Sequence, residues 1–121
     1  TFALAAMVVG AGFMGHGIGQ EAAAAGCRVV LHDRTEEQLD LAVQRIERNL
    51  SQLAELGILR TQDVGQTLQR IETTTFLQAA AADADLVIEA VYEDLELKRH
   101  VFRELDRLCP PRTILASNTS T

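Results

Sequence analysis

The sequence has few aromatic residues and no long apolar run. Aromatic residues make up 4% of its 121 residues, with no tryptophan, and there are two prolines. No apolar run approaches the ~18 residues that a membrane-spanning helix needs. No charged segment followed by a cleavage site marks a secretory signal at the start. We therefore expect a cytoplasmic protein without a membrane partner.

Basic residues are too few for a nucleic-acid partner. Lysine and arginine total 11 against 17 acidic residues, which gives a net charge of −6, and no basic stripe is present. Hydrophobic residues make up 47% and charged residues 23%, a balance typical of globular proteins. The length fits one domain with a core of its own. These features predict a single globular domain that does not bind nucleic acid.

Cysteine is also scarce. Cys27 and Cys109 lie far apart, and neither belongs to a C-x-x-C motif or to a Cys/His pattern with ligand spacing. We expect buried free thiols rather than a disulfide, and no metal site.

Strand and helix patterns alternate along the chain. Short apolar runs predict strands at 5–9, 28–32, 71–75, 86–91 and 113–117. Helical patterns cover 15–25, 35–57, 61–70 and 94–108, with a short helix or turn at 79–82. In the longest helix the apolar stripe consists of Leu39, Val43, Ile46, Leu50 and Leu53, and Thr35 with Gln38 forms a capping box. This alternation predicts an α/β fold, a mainly parallel sheet with helices on both faces.

In a parallel sheet, the segments that follow the strands collect along one edge. Here they read GAGFMG, DR, YEDLELK and NTST, which are rich in polar or backbone-exposing residues. The sequence therefore predicts a ligand cleft at the carboxyl edge of the sheet.

The first of these segments contains the pattern G-x-G-x-x-G between a strand and a helix. Gly10 permits a tight turn, Gly12 lets the backbone approach a pyrophosphate, and Gly15 lets the helix pack closely on the sheet. Asp33 ends the next strand 18 residues after Gly15, where a carboxylate can accept both hydroxyls of an adenine ribose. The alternative is a tight turn beside a solvated aspartate.

The other candidate side chains have no catalytic pattern. We expect His16 to be a solvated neutral imidazole in the first turn of the glycine helix, and His32 and His100 to have structural or surface roles. Ser117 and Ser120 have no partner histidine at a suitable spacing, and the sequence lacks a nucleophile elbow.

Three stretches together resemble the NAD-binding domain of 3-hydroxyacyl-CoA dehydrogenases. They are VVGAGFMGHGIGQEAAAAG, DADLVIEAVYEDLELKRHVF and ILASNTST, and the resemblance covers nearly the whole chain. It implies a Rossmann-like, doubly wound fold with a long helical hairpin between the second and third strands. It also implies oxidation of the 3-hydroxyl of an acyl-CoA to a ketone, with NAD as cofactor, in fatty-acid β-oxidation or related acid degradation.

The resemblance assigns roles residue by residue. Gly10, Ala11, Gly12, Phe13, Met14 and Gly15 match the pyrophosphate loop, and Asp33 matches the ribose-binding aspartate. The nicotinamide side is matched by Val91, Tyr92, Glu93 and Lys98. Asn118 and Ser120 match the catalytic loop, where the serine contacts cofactor and substrate oxygen. As alternatives, Glu93 and Lys98 are exposed charges at a helix start, and Asn118 is a turn former.

The chain departs from the family pattern at several positions. Phe76 replaces a small polar helix starter, which we expect to change only local packing. Asn49 and Leu56 stand where some relatives use Ser and Lys against coenzyme A. The family's catalytic histidine and its orienting glutamate lie beyond Thr121.

We therefore expect residues 1–121 to be an NAD-binding (Rossmann) domain that is incomplete at its C-terminal end and lacks the helical substrate and dimerisation domain. The fragment alone should be inactive, and the parent enzyme a homodimer. Two alternatives remain open. One is an NAD-dependent dehydrogenase of another β-hydroxy acid or a sugar acid, and the other is a dinucleotide-binding module that catalyses nothing.

Overall fold

The structure is a computed structural model that describes residues 4–91 and 95–117, with the backbone alone at residues 13, 14 and 95. Its strands are β1 (Ala5–Val9), β2 (Arg28–His32), β3 (Ile71–Thr74), β4 (Leu86–Glu89) and β5 (Ile114–Ser117). Its helices are α1 (Phe13–Ala24), α2 (Glu36–Glu55), α3 (Thr61–Gln69), α4 (Leu77–Ala81) and α5 (Leu95–Leu108).

The five strands form one parallel sheet in the order β3-β2-β1-β4-β5. The chain therefore moves outward from β1 to β3, returns to β4 beside β1, and continues outward to β5. The prediction of a doubly wound parallel sheet is confirmed. The strand order reverses between β1 and β4, and the carboxyl ends at such a reversal are where open α/β sheets bind ligands.

Alternate residues of β1 face two separate helical layers. Val8 packs with Leu31 into a core formed by α1, α2 and α3. Met7 and Val9 pack into a second core formed by α4 and α5, which includes the fully buried Leu105. Helices thus cover both faces of the sheet, and α2 with α3 forms the predicted hairpin between β2 and β3.

Several element boundaries and one helix face differ from the predictions. The β4 strand ends at Glu89 rather than at residue 91, because the Glu89 carboxylate accepts the N–H of Val91 and turns the chain there. The α1 helix begins at Phe13 rather than at Gly15, since the N–H of His16 already bonds to the carbonyl of Gly12. The core-facing stripe of α2 contains Ala42 instead of Val43.

The predicted roles of Thr35, Gly26 and Gly57 at the ends of α1 and α2 are confirmed. The Thr35 hydroxyl accepts the N–H of Gln38 at 3.2 Å at the start of α2. Gly26 and Gly57 follow α1 and α2 with φ angles of +103° and +75°, a left-handed conformation that glycine adopts without a steric penalty.

Peripheral residues differ in part from the expectations. Cys27 and Cys109 are free, but both are half-buried rather than buried, and burial raises the pKa of the Cys109 thiol. Phe76 is 66% exposed at the N-cap of α4, and its expected effect on local packing stays a prediction. Among the described residues, no helix combines the length and apolarity needed to span a bilayer.

Candidate functional site

The turn after β1 can exist only with glycine at two of its positions. Gly10 has a φ angle of +102°, and a Cβ there would lie 2.7 Å from the carbonyl oxygen of Ala90. A Cβ on Gly15 would lie 1.6 Å from the carbonyl oxygen of Gly10. These two glycines are required by the protein's own backbone packing.

Gly12 has a different environment. A Cβ there would meet no protein atom within 4 Å, so the space above this residue is open. Gly12 is also the N-cap of α1, offers no side chain to its first N–H groups, and is followed by no acidic residue in the first turn. Unpaired N–H groups and the positive end of a helix dipole favour an anion. The turn therefore fits a pyrophosphate.

His16 is buried against this turn and contacts its backbone. It is 6% exposed, and its Nδ1 lies 2.9 Å from the carbonyl oxygen of Gly12. Because a carbonyl only accepts, Nδ1 carries the proton. The prediction of a solvated imidazole is wrong, since the side chain folds back onto the turn instead of pointing to solvent.

Asp33 joins the end of β2 to the same turn. Its Oδ2 accepts the N–H of Ala11 at 2.9 Å, and its Oδ1 accepts the N–H of Arg34 at 2.6 Å. Each carboxylate oxygen has a further lone pair, so both remain able to accept a ribose hydroxyl. The carboxylate is therefore held at the rim of the cleft by the turn itself.

His32 lies beside Asp33 and has a structural contact. Its Nε2 lies 3.2 Å from the carbonyl oxygen of Thr75, and burial lowers its pKa despite that bond and the nearby Asp33 charge. Its Nδ1 is buried without a hydrogen-bond partner among the described residues. His32 is thus a neutral wall of the cleft.

These segments enclose a cleft of about 510 Å³ at the switch point of the sheet, within the size range of cofactor sites. Its wall combines the ends of β1, β2 and β4 with one face of α5. It consists of Val9, Gly10, Gly12, His32, Asp33, Arg34, Gln38, Ala90, Val91, Leu97 and Val101.

Sequence reasoning missed Glu89, a carboxylate at the end of β4 with no solvent exposure. Its Oε1 accepts the hydroxyl hydrogen of Ser117 at 2.7 Å, and Lys98 Nζ lies 3.8 Å from the same oxygen. An acidic residue inside the apolar run LVIEAV was the available signal, because a charge is not buried without partners. The Lys98 side chain is only 13% exposed, so it is not an exposed surface charge.

A second groove, of about 820 Å³, lies between α1 and α2. Two arginines and several polar side chains line it, and the Asn49 amide donates to Gln20 Oε1 at 3.1 Å. The lining residues are His16, Gly17, Ile18, Gln20, Glu21, Arg45, Arg48 and Asn49. Leu56, 72% exposed at the end of α2, is not among them.

The structure brings most of the described candidate residues together at one edge. The backbones of Phe13 and Met14 form the first turn of α1, directly after Gly12. Tyr92, Glu93, Asn118 and Ser120 lie outside the described residues, so their assignments stay predictions. The described part of the chain contains no group of three or more His, Cys, Asp or Glu side chains that could hold a metal ion.

Comparisons with known proteins agree with this geometry. Residues 5–121 match the family model described as "3-hydroxyacyl-CoA dehydrogenase, NAD binding domain". A probable 3-hydroxybutyryl-CoA dehydrogenase of Bacillus subtilis is 44% identical over 115 residues, which are 95% of this chain and 40% of that protein. The mitochondrial hydroxyacyl-coenzyme A dehydrogenase of Mus musculus is 40% identical over 94% of this chain and 38% of that protein.

A solved structure shows the same fold. The crystal structure of 3-hydroxybutyryl-CoA dehydrogenase from Escherichia coli K12 superposes with a TM-score of 0.94 at 40% identity, covering all of this chain and 25% of that one. This chain spans about two fifths of the length of the Bacillus subtilis and Mus musculus relatives. The open glycine turn, the tethered Asp33 and these matches lead to one conclusion: the chain belongs to the NAD-binding domain family of the 3-hydroxyacyl-CoA dehydrogenases.

Proposed function

We propose that this chain is the cofactor-binding part of an NAD-dependent enzyme that oxidises the 3-hydroxyl of an acyl-CoA to a 3-ketoacyl-CoA, in fatty-acid β-oxidation or related acid degradation. The observation that carries the proposal is the open space over Gly12, at the start of α1 and beside Asp33. This open space leaves the backbone at the start of α1 accessible to a phosphate group.

Different residues along the carboxyl edge of the sheet bind different parts of the cofactor and the substrate. The turn from Gly10 to Gly15, including Ala11, Phe13 and Met14, holds the pyrophosphate, and Asp33 holds the adenine ribose. Val91, Tyr92, Glu93 and Lys98 flank the nicotinamide, and Asn118 with Ser120 orients the substrate oxygen. When bound, NAD⁺ supplies the hydride acceptor, while the protein supplies orientation and electrostatics.

We propose that the general base comes from outside these 121 residues. Nδ1 of His16 is bonded to Gly12, and Nε2 of His32 lies against Thr75. His100 is exposed on α5. In the full-length enzyme, a histidine and its orienting glutamate follow residue 121, and a helical domain completes the substrate site and the dimer. The length of the relatives supports this division.

The groove between α1 and α2 is our candidate for the coenzyme A portion of the substrate. Arg45 and Arg48 line it, and guanidinium groups suit phosphates. They would serve in place of the Ser and Lys that some relatives have at positions 49 and 56. Arg48→Ala should weaken binding of coenzyme A to the chain and leave NADH binding unchanged.

We propose a cytoplasmic location and a homodimeric assembly for the full-length enzyme. The mouse relative is described as mitochondrial, whereas the name of the Bacillus subtilis relative gives no organelle. Cell fractionation would decide the first point, and sedimentation of the full-length enzyme would decide whether it is a homodimer.

Two measurements test the activity. Titration of the chain with NADH, followed by fluorescence, should show saturable binding. The full-length enzyme should oxidise NADH in the presence of acetoacetyl-CoA. Binding without any turnover in the full-length protein would favour the non-catalytic dinucleotide module, and turnover only with other β-hydroxy or β-keto acids would favour the related dehydrogenases.

A further inference from the structure

Glu89 is a fully buried carboxylate placed beside the cofactor cleft. It is the last residue of β4, with 0% exposure, and it pairs with Val9 of β1 and Ser117 of β5 in the sheet register. Burying a carboxylate costs folding free energy unless it is hydrogen-bonded and paired. Its partners therefore indicate why a charge is kept there.

These partners come from three separate segments. Glu89 Oε2 accepts the N–H of Val91 at 2.7 Å, in the turn after β4. Oε1 accepts the hydroxyl hydrogen of Ser117 at 2.7 Å, at the end of β5, and lies 3.8 Å from Lys98 Nζ on α5. Bonds to an ionised acceptor are short and strong, and both distances fall in that range.

Stability alone does not account for this arrangement. Replacing a buried ion pair by apolar residues of similar volume is often neutral or stabilising. A carboxylate instead offers two acceptor atoms at a fixed separation. Here Oε2 accepts the N–H of Val91 in the turn after β4, and Oε1 accepts the hydroxyl hydrogen of Ser117 at the end of β5. A glutamine has only one acceptor oxygen, so it cannot accept both bonds in the same way.

We propose that Glu89 is a positioning residue of the cofactor site, which holds Val91, Ser117 and Lys98 in place on the nicotinamide side of the cleft. This inference rests on the proposed function, because the family resemblance places Val91 and Lys98 on that side. Among the described residues, the bonds of Glu89 do not include Asp33 or the glycine turn, which hold the ADP-ribose half.

The two halves of the cofactor provide the test. NADH reports on both halves, whereas ADP-ribose lacks the nicotinamide and reports only on the glycine turn and Asp33. We would titrate the wild-type chain, Glu89→Gln and Ser117→Ala with each ligand. Glu89→Gln should weaken NADH binding about tenfold, and ADP-ribose binding should stay within about twofold. The fluorescence emission of bound NADH should also shift, because it reports the surroundings of the nicotinamide ring.

Asp85→Asn is the matched control. Asp85 is also a carboxylate that accepts a backbone N–H at a strand end, but at Ala5 on the opposite edge of the sheet. Its variant should leave both affinities within about twofold. Ser117→Ala removes one donor from an exposed residue, so it keeps the test available if Glu89→Gln does not fold, and it should weaken NADH selectively by about threefold.

The possible failures are distinguishable. Equal losses for NADH and ADP-ribose in both variants would mean a general structural role and overturn the positioning role. Unchanged NADH binding in both Glu89→Gln and Ser117→Ala would also overturn the positioning role of Glu89. If the wild-type chain binds neither ligand, the proposed cofactor function fails, and this inference fails with it.

Discussion

The N–H of Ala11 donates to Oδ2 of Asp33 across 2.9 Å, so the residue that we propose for the ribose also fixes the turn that we propose for the pyrophosphate. The carbonyl of His32, directly before Asp33, accepts the N–H of Gly10 at 2.8 Å and strengthens the same connection. Changes at Asp33 should therefore affect the placement of both halves of the adenine nucleotide.

Asp33 should make the protein select NADH over NADPH. A carboxylate at the ribose repels a 2′-phosphate, and we expect NADH to bind at least about tenfold tighter, or about 1.4 kcal/mol. Asp33→Ser should narrow this ratio by weakening NADH and relieving NADPH, with the adjacent Arg34 at the cleft rim free to help the phosphate. Fluorescence titrations of each protein with NADH and with NADPH measure the ratio of the two affinities. Asp40→Ser, on the exposed face of α2, is the control. Equal affinities in the wild-type chain would show that Asp33 does not face the ribose.

Gly12 and Gly15 should respond to substitution in opposite ways. Gly12→Val adds a side chain only to the open space, so the fold should survive while NADH binding is lost. Gly15→Ala places a Cβ against the carbonyl of Gly10, so the fold itself should be destabilised. Circular dichroism and NADH titration separate the two effects.

Gly65→Ala is the control for both glycine variants. It lies within α3 with no atom near its would-be Cβ, and the change should stabilise the fold by about 0.5–1 kcal/mol without affecting NADH. If a folded Gly12→Val variant binds NADH normally, the cofactor does not bind at this turn.

The 121-residue chain should bind NADH without turning it over. The contacts of His16 and His32, and the exposed position of His100, leave the described site without a placed general base. An acetoacetyl-CoA reduction assay with the purified chain should stay at background while the binding titration saturates. Robust turnover would mean that a group within these residues acts as the base.

Asp85 should make stability depend on pH at the amino edge of the sheet. The hydrogen bond from the N–H of Ala5 lowers the pKa of Asp85, with a further contribution from Arg112. A lowered folded pKa means that its stabilisation is present above the unfolded value of about 3.9 and is lost as the pH falls through the folded pKa.

Asp85→Ala should therefore lower the melting temperature at pH 7, and the difference from wild type should shrink as the pH falls below about 3.9. Thermal unfolding at several pH values measures this. Arg112→Ala should lower the melting temperature at pH 7 less than Asp85→Ala does, because the hydrogen bond between Asp85 and Ala5 remains. A constant difference at all pH values would show that charge is not the cause.

Local patterns were sufficient to predict the sheet and the glycine turn. Gly10, Gly15 and Asp33 lie at fixed offsets from strand ends, so their positions at the turn and beside it could be predicted from spacing. Thr35 caps its helix through a bond to a residue three positions away, which is equally local.

The missed features depend on contacts between distant segments. The bond from Ser117 to Glu89 spans 28 residues, and no local pattern encodes it. His16 was predicted to be solvated because its position near a helix start disfavours a charge, whereas the neutral ring folds onto the carbonyl of Gly12. Strand β4 was predicted too long because Ala90 and Val91 are apolar, although the Glu89 carboxylate bends the chain there.

The close approach of Gly10 to Ala90 limits how this domain can be re-engineered. Because the two turns touch through their backbones, a glycine loop from another dehydrogenase would arrive beside a β4 turn shaped for a different neighbour. Chimaeras designed to change cofactor preference should transplant residues 10–15, 33–34 and 89–91 together. Exchanging residues 10–15 alone should displace the new loop relative to the β4 turn and reduce the affinity for both NADH and NADPH.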